Sequence, residues 1–295
     1  MMIILEAKIN NINKNYLLIQ LQNNKTESVL RIFIRLAQMK KRIYKLNNKE
    51  IRLGENEAHI WNFDLNKYLN LIDKFKSILS REELIRAGKF YFNRDKYWFI
   101  INRGLLRNFV SIYTSIPAKE IKFVFNNFGK PSLAIDGNST HLHFNLSHSK
   151  NFLSIGFIIN SQIGIDIELM NLSKDHLRIA KRFFSNSEFD NLFSFPADKL
   201  RDGFYSCWTA KEAVIKLFGM GLSFSLKDFD VELKELKPDE SYKYKVNLKK
   251  QSADLFIEVF KLSNAIYGAC AVDNEKAEFI HCYFEDENAI TDLFA

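Results

Sequence analysis

Cysteine and proline are scarce in this chain of 295 residues, which contains three cysteines and four prolines. The cysteines, Cys207, Cys270 and Cys282, are odd in number and lack the short spacings of zinc ligands. This argues against a disulfide framework and against a structural zinc site, so we expect a reducing compartment, the cytoplasm. With 47% hydrophobic and 26% charged residues, the composition is that of a densely packed globular protein and not of a disordered one.

Long apolar runs are also absent. No run approaches the roughly 18 residues that a membrane helix needs, so we expect no membrane span. The opening run from Met1 to Leu5, followed by Glu6, is too short for a signal peptide. Acidic residues are fewer than basic ones, 35 against 42, which gives a net charge of +7. This charge favours an acidic partner, which could be nucleic acid, an anionic membrane, a phosphorylated ligand or an acidic protein.

Residues 28 to 46 carry a basic amphipathic pattern. Apolar residues recur at alternating spacings of four and three among lysines and arginines, and they are Ile32, Leu36, Met39, Ile43 and Leu46. The pattern predicts a helix within an N-terminal extension, residues 1–54, in which no residue suggests chemistry. This helix either packs on the body of the protein as an accessory element or contacts a membrane or RNA.

The rest of the chain predicts two similar successions of helices and strands. In the first half we expect a strand at 59–63, a helix over 80–113 that opens with a capping box, and strands at 121–125, 141–146, 152–159 and 163–167. In the second half we expect helices at 175–184, from 185 and at 202–218, then strands at 229–233, 242–248, 255–261, 265–272 and 278–283. The order predicts an α+β fold of two subdomains, residues 55–160 and 161–290, which face each other across a cleft.

Two carboxylates lie close together in the run Ile163-Gly-Ile-Asp-Ile-Glu168. The strand period of two puts Asp166 and Glu168 on one face and the isoleucines on the other. Magnesium prefers oxygen ligands and typically takes one or two carboxylates together with phosphate oxygens and waters. The pair is therefore a candidate magnesium site, and the alternative is an edge strand with a solvated acidic face.

A second candidate lies in the run Trp208-Thr-Ala-Lys-Glu-Ala-Val-Ile-Lys216, which is strongly helical. Trp208, Glu212 and Lys216 lie four apart on one stripe, and an apolar side lies elsewhere on the helix. Glu212 and Lys216 could serve a site, or they could form an ordinary exposed ion pair.

Two shorter runs suggest a phosphate-binding site. Phe144-Asn-Leu-Ser-His-Ser149 ends a strand with two hydroxyls around a histidine, although a histidine at a strand end can equally be a structural hydrogen-bonder. Gly129-Lys-Pro131, just before it, is by itself a turn. Neither run defines a function alone.

In this order and spacing the runs resemble the Sfp-type 4′-phosphopantetheinyl transferases over roughly residues 55 to 290. The matching runs are Arg94-Asp95 with Arg103-Gly-Leu-Leu-Arg107, Gly129-Lys-Pro131, Phe144 to Ser149, Ile163 to Glu168, Arg182-Phe-Phe184 and Trp208 to Lys216. The resemblance implies two similar subdomains related by a pseudo-twofold axis, with the active site in the cleft between them. It also implies transfer of the phosphopantetheine arm of coenzyme A to a serine of an acidic apo acyl or peptidyl carrier protein, with release of 3′,5′-ADP. We expect a monomer that binds no nucleic acid.

The resemblance also assigns roles to individual residues. Magnesium is expected on Asp166, Glu168 and Glu212, and Glu212 and Lys216 are the expected catalytic residues. Coenzyme A is expected to contact Arg86, Arg103, Lys130, Pro131, Ser147, His148 and Lys216.

Several alternatives remain open from the sequence. One is a non-catalytic binder of coenzyme A or of a carrier protein, and another is a metal-dependent nuclease. The nuclease lacks its usual acid-x-lysine strand signature, because Leu169 and Met170 follow Glu168. Glu188 belongs either to the site or only to a capping box that starts at Ser185. The apolar run 218–224 is either a docking loop for the carrier or a buried loop.

Overall fold

A computed structural model describes residues 37–44, 51–134, 141–171, 175–248, 250, 252–286 and 290. Within these ranges the strands are β1 (Ala37–Gln38), β2 (Lys41–Tyr44), β3 (Glu57–Asp64), β4 (Phe123–Phe125), β5 (Pro131–Leu133), β6 (Leu142–Ser149), β7 (Phe152–Ile159), β8 (Ile163–Leu169), β9 (Glu240–Leu248), β10 (Ala253–Ser263), β11 (Ile266–Val272) and β12 (Glu278–Phe284). The helices in the same ranges are α1 (Ile72–Ile78), α2 (Arg81–Gly88), α3 (Asn93–Thr114), α4 (His176–Phe183), α5 (Asn186–Phe193) and α6 (Leu200–Phe218). The predicted α+β class is confirmed. None of these helices is both long and apolar enough to cross a bilayer.

The strands form two five-stranded sheets and a small ribbon. The first sheet has the order β2-β12-β3-β7-β6, and the second has the order β1-β9-β10-β11-β8. Strand β12 runs parallel to both of its neighbours, whereas the other described pairs are antiparallel. The ribbon consists of β4 and β5 and carries the Gly-Lys-Pro turn between its strands.

Helices cover one face of each sheet, and the other faces meet. Phe109 of α3 lies 4.6 Å from Trp61 of β3 between ring centroids, in a core cluster of the first sheet. Helix α6 shares a second cluster with β9, β10 and β11. A third cluster joins the two sheets and contains Ala58 and Ile60 of β3 together with Ile163 of β8. Strand β3 is therefore buried on both faces, and the layers follow the order helix, sheet, sheet, helix.

The helix predicted over residues 28–46 is wrong where the structure describes it. Strands β1 and β2 occupy this stretch and pair with β9 and β12. Met39 between them is buried, Arg42 donates to Glu57 Oε2 at 2.8 Å, and Ile43 stays exposed. The backbone of this stretch pairs with an open edge of each sheet. This pairing outweighs the helical spacing of its apolar residues, which is only a weak local preference for a helix. The rest of the predicted helix lies outside the described residues.

The helix predicted over residues 80–113 begins as expected but is broken. Ser80 and Glu83 form the predicted capping box, in which Glu83 N donates to Ser80 Oγ at 3.2 Å and Ser80 N donates to Glu83 Oε2 at 2.9 Å. Arg107 Nε of α3 also donates to Glu83 Oε2, at 2.7 Å, and both side chains are buried. In one straight helix these residues would lie roughly 36 Å apart, so this ion pair requires the break between α2 and α3.

The strand predicted at 229–233 is wrong, because among the described residues this stretch joins no sheet. Side chains bind its backbone instead. Lys211 Nζ donates to Phe229 O at 2.8 Å, and Val231 N donates to Glu188 Oε1 at 2.8 Å. The sequence shows the apolar alternation of residues 229–233, but it does not show that the side chains of Lys211 and Glu188 bind their backbone.

Strand β12 belongs to the first sheet although it comes from the second half of the sequence. It pairs with β3 in the register His281 to Ile60. The division into subdomains at about residue 160 stays a prediction.

Candidate active site

Strand β8 lies directly against helix α6, and Gly164 makes this approach possible. A Cβ on Gly164 would lie 2.0 Å from the carbonyl oxygen of Ala213 and 2.3 Å from the backbone nitrogen of Leu217. Any other residue would push strand and helix apart. Because side chains alternate along a strand, Asp166 and Glu168 share the face of Gly164. The isoleucines Ile163 and Ile165 lie in the core between the sheets, so the predicted alternation is confirmed.

Asp166, Ser147 and Lys216 meet at one point. Lys216 Nζ lies 2.6 Å from Asp166 Oδ1 and donates to Ser147 Oγ at 2.6 Å. Ser147 Oγ in turn donates to the same Asp166 oxygen at 2.8 Å. Asp166 and Ser147 are buried, whereas the Lys216 side chain is 28% exposed, so Lys216 is the member of the group most open to solvent. The ion pair of Lys216 is thus with Asp166 and not the ordinary helical pair with Glu212.

The second serine and the histidine of the same run lie beside this group. Ser149 Oγ donates to Glu168 Oε2 at 2.8 Å. His148 lies between the two serines and is exposed as a residue, but partial burial of its ring lowers its pKa, and the charge of Lys216 lowers it further. Both serines of the run therefore contact carboxylates of β8, and their predicted role in binding phosphate stays a prediction.

Glu212 of α6 completes the acidic group. Burial raises the pKa of Glu212 to about 7, the charges of Asp166 and Glu168 add to this rise, and Lys216 opposes it. The negative charges of Asp166 and Glu168 therefore repel a charged Glu212. A cation among them would relieve that repulsion.

The chemistry of these carboxylates fits magnesium. Asp166 Oδ2 is buried and has no hydrogen-bond partner among the described residues. An unsatisfied buried carboxylate oxygen is costly unless a cation binds it. Across the ranges that the structure describes, no three His, Cys, Asp or Glu side chains form a ready-made metal cluster. The ammonium of Lys216 instead occupies Asp166 Oδ1.

The two arginines expected to bind coenzyme A contact the same ring. The guanidinium carbon of Arg86 lies 5.3 Å from the Phe99 centroid, and that of Arg103 lies 5.6 Å from both Phe99 and Phe125. Burial lowers the pKa of Arg103, and its buried Nη1 finds no acceptor in the described part of the chain. A phosphate would supply that acceptor. Phe125 pairs with Pro131 across the ribbon, so Arg103 contacts the strand that faces the Gly-Lys-Pro run.

Lys130 of that turn forms hydrogen bonds with backbone carbonyl groups of the protein. Its Nζ donates to Leu217 O at 2.6 Å and to Ile163 O at 3.2 Å, and burial lowers its pKa to about 8. Asn126 Nδ2 donates to Gly219 O at 2.8 Å. The turn is therefore fastened to the C-terminal end of α6, where Gly219 has a left-handed φ of 62°. The sequence did not indicate these contacts, because they join distant parts of the chain.

Glu188 is held in a buried ion pair. Lys211 Nζ lies 2.8 Å from Glu188 Oε1, which also accepts from Val231 N at 2.8 Å. Glu188 Oε2 accepts from Ser185 N at 2.8 Å, so the predicted capping box is present. With both oxygens engaged, the structural role of Glu188 is favoured. Lys211 precedes Glu212 in the helical run, but sequence reasoning did not single it out.

The loop that follows α6 combines buried and exposed apolar side chains among its described residues. Phe218 and Phe224 stack at 5.2 Å between ring centroids, and Phe224 is buried. Met220 between them is 41% exposed. The phenylalanines thus favour the buried alternative, and docking by this loop stays a prediction.

Comparison with known proteins identifies the class to which this site belongs. The family model of the 4′-phosphopantetheinyl transferase superfamily matches residues 162–271, and the model of a 4′-phosphopantetheinyl transferase N-terminal region matches residues 66–157. The chain is 33% identical over 188 residues to 4′-phosphopantetheinyl transferase HetI of Nostoc sp., an alignment that covers 64% of this chain and 79% of that protein.

Two relatives from Bacillus subtilis match a shorter part of the chain. Identity is 35% to 4′-phosphopantetheinyl transferase Sfp, over 55% of this chain and 69% of that protein. It is 36% to 4′-phosphopantetheinyl transferase ffp, over 55% of this chain and 70% of that protein. The chain belongs to the Sfp-type 4′-phosphopantetheinyl transferase family.

Proposed function

We propose that the chain moves the 4′-phosphopantetheine arm of coenzyme A to a serine of an apo acyl or peptidyl carrier protein, with magnesium as the metal ion. The observation that carries the proposal is the contact of Lys216 with both Asp166 and Ser147. It joins a cation, a carboxylate and a hydroxyl from three separate parts of the sequence, beside two further carboxylates. Phosphoryl transfer requires this combination of positioning and charge neutralisation.

Asp166, Glu168 and Glu212 would hold the magnesium ion. When bound, magnesium neutralises charge on pyrophosphate oxygens and helps to orient them. Lys216 contributes a second positive charge for the phosphates of the leaving group.

The carrier serine Oγ attacks the β-phosphorus of coenzyme A. A new bond forms between this oxygen and phosphorus, the bond from phosphorus to the bridging oxygen breaks, and 3′,5′-ADP leaves. Glu212 accepts the serine proton directly or through a water. Burial raises the pKa of Glu212 to about 7, and a magnesium ion beside it would lower that pKa, so the carboxylate would be ionised and able to accept the proton.

The remaining residues bind coenzyme A. Arg86, Arg103, Ser147 and His148 serve its 3′-phosphate and pyrophosphate, while Lys130 and Pro131 border its adenine. Nη1 of Arg103, which has no acceptor among the described residues, supports this assignment, because a buried guanidinium binds phosphate strongly.

The carrier is an acidic protein in this proposal. The net charge of +7 would then steer the encounter, and the enzyme would act as a cytoplasmic monomer with two subdomains, residues 55–160 and 161–290.

Mass spectrometry of apo carrier proteins tests the proposed function. The protein is incubated with magnesium, coenzyme A and several apo acyl and peptidyl carriers. We expect at least one carrier to gain a single phosphopantetheine, with an equal amount of 3′,5′-ADP released. Binding of coenzyme A without any gain in carrier mass would replace the transferase by a non-catalytic binder.

A further inference from the structure

Side chains of β6 connect it to β8 across the junction of the two sheets. Strand β6 is an edge of the first sheet and β8 is an edge of the second. Residues at every second position of β6 reach over to β8: Asn145 Oδ1 accepts from Ile165 N at 3.0 Å, and Ser147 Oγ donates to Asp166 at 2.8 Å. Ser149, the last residue of β6, continues this series.

Ser149 makes two hydrogen bonds to β8, and together they fix the direction of its hydroxyl proton. Its Oγ accepts from Leu169 N at 3.1 Å and donates to Glu168 Oε2 at 2.8 Å. A hydroxyl has one proton to donate, so acceptance from the Leu169 amide leaves that proton for Glu168. The carboxylate is thereby held at one oxygen by a group that is itself anchored to the backbone of the same strand.

Glu168 needs such an anchor more than Asp166 does. It lies one residue before the end of β8, and a glutamate has one more rotatable bond than an aspartate. Groups that bind a metal-ligating carboxylate from outside set its orientation and hence the affinity of the metal.

We propose that Ser149 is a positioning residue that orients Glu168 toward the magnesium ion. This inference rests on the proposed function, because it assumes that Glu168 is a metal ligand. Ser149 itself touches neither substrate nor metal and acts only through Glu168.

Binding of Mn²⁺ to the full chain tests the proposal without turnover. Mn²⁺ prefers the same oxygen ligands as Mg²⁺, and its free form is counted by electron paramagnetic resonance. Titrations with and without coenzyme A compare the wild type with Ser149→Ala and Ser149→Thr. We expect Ser149→Ala to raise the Kd for Mn²⁺ about 10-fold to 100-fold, the usual effect of losing an outer hydrogen bond at a metal site. Ser149→Thr keeps the hydroxyl and should stay within about threefold of the wild type.

Ser241→Ala is the matched control. Ser241 Oγ also donates to a glutamate, Glu258 Oε1, at 2.8 Å, but it does so on β9 and β10, away from β8. This variant should lose stability and leave the Kd for Mn²⁺ unchanged. If it weakens Mn²⁺ as much as Ser149→Ala does, general destabilisation explains both results and the proposal is wrong.

Turnover supplies a second readout. Ser149→Ala should need more magnesium for half-maximal rate, with kcat near normal at saturating magnesium.

An unchanged Kd for Mn²⁺ in Ser149→Ala, or equal weakening in Ser149→Ala and Ser149→Thr, would overturn the positioning role and leave the transferase assignment intact. A wild type that transfers phosphopantetheine but binds no Mn²⁺ would also overturn it. Absence of transfer by the wild type would instead remove the proposed function. If Ser149→Ala does not fold, Ser149→Cys replaces it and should show the same weakening, since a thiol is a poor donor.

Discussion

The ammonium of Lys130 lies 2.6 Å from the carbonyl oxygen of Leu217, the residue that follows Lys216 on α6. Its second acceptor, Ile163 O, is the first residue of β8. One side chain from the ribbon thus binds both elements that carry the acidic group. It contributes to the geometry of the site whether or not coenzyme A also touches it.

Replacement of Lys130 by methionine separates these two roles. We expect Lys130→Met to lower the free energy of unfolding by about 2 kcal/mol, because two carbonyl oxygens lose a charged donor. Urea denaturation measures this loss, and Lys122→Met, which removes an exposed lysine near the same ribbon, should cost far less. An increased KM for coenzyme A with unchanged stability would instead assign Lys130 to the ligand alone.

Glu188 should prove structural. Glu188→Gln leaves the buried ammonium of Lys211 without a counter-charge, and breaking such a pair typically costs about 3 to 5 kcal/mol. We expect a lower melting temperature, with kcat and its pH profile retained below the melting transition. The double variant Glu188→Gln/Lys211→Met should recover part of the lost stability. A fall in kcat at normal stability would make Glu188 a member of the active site.

Gly164→Ala tests the approach of β8 to α6. The added Cβ would meet backbone atoms of Ala213 and Leu217, which cannot rotate away, so we expect a loss of at least about 3 kcal/mol or failure to fold. Gly88→Ala is the control, because a Cβ there meets no atom of the described residues within 4 Å. That change should be neutral or slightly stabilising, since alanine favours a helix. Equal unfolding midpoints for the two variants would contradict the close packing.

Acid should destabilise the protein through His59. Burial lowers the pKa of His59 from 6.5 to about 4, while its ring contacts Tyr113 Oη at 2.8 Å and Glu57 Oε2 at 3.1 Å. Between these two values the unfolded chain binds more protons than the folded one, so stability falls as pH is lowered. From pH 7 to pH 5 this amounts to about 2 kcal/mol. Urea midpoints at both pH values should show a smaller fall for His59→Gln, whereas His141→Gln, at an exposed position, should behave as the wild type.

Glu212→Gln distinguishes a base from a metal ligand, because the amide keeps an oxygen but loses basicity. We expect kcat to fall by about 10² to 10⁴, the usual effect of losing a positioned proton acceptor, and excess magnesium should not restore it. Asp166→Asn is the reference, and there a raised magnesium requirement should dominate. Rates measured against magnesium concentration decide between the two patterns. Full rescue of Glu212→Gln by magnesium would leave a bound water as the proton acceptor.

Local patterns in the sequence predicted what depends on local geometry. The face shared by Asp166 and Glu168 follows from the strand period, and both capping boxes follow from a serine three residues before a glutamate. Contacts between distant residues could not be predicted in this way. The pairing of Lys216 with Asp166 spans 50 residues, and the bond from Lys130 to Leu217 spans 87. No periodicity encodes such partners.

The same reason explains the errors near the N-terminus and after α6. The spacing of Met39 and Ile43 fits a helix, but the sequence does not show that two sheet edges are available to pair with this stretch. Residues 229–233 alternate like a strand, and only the fold reveals that Lys211 and Glu188 bind their backbone.

The return of β12 to the first sheet has a consequence for how the chain folds during synthesis. Strand β12 lies between β2 and β3, yet it is translated more than 200 residues after them. Until β12 emerges from the ribosome, one edge of β3, which is largely buried in the finished fold, stays unpaired, and an unpaired edge promotes aggregation. A polypeptide cut near residue 160 would keep that edge permanently, so its two pieces should be insoluble apart and should regain structure only when they are refolded together.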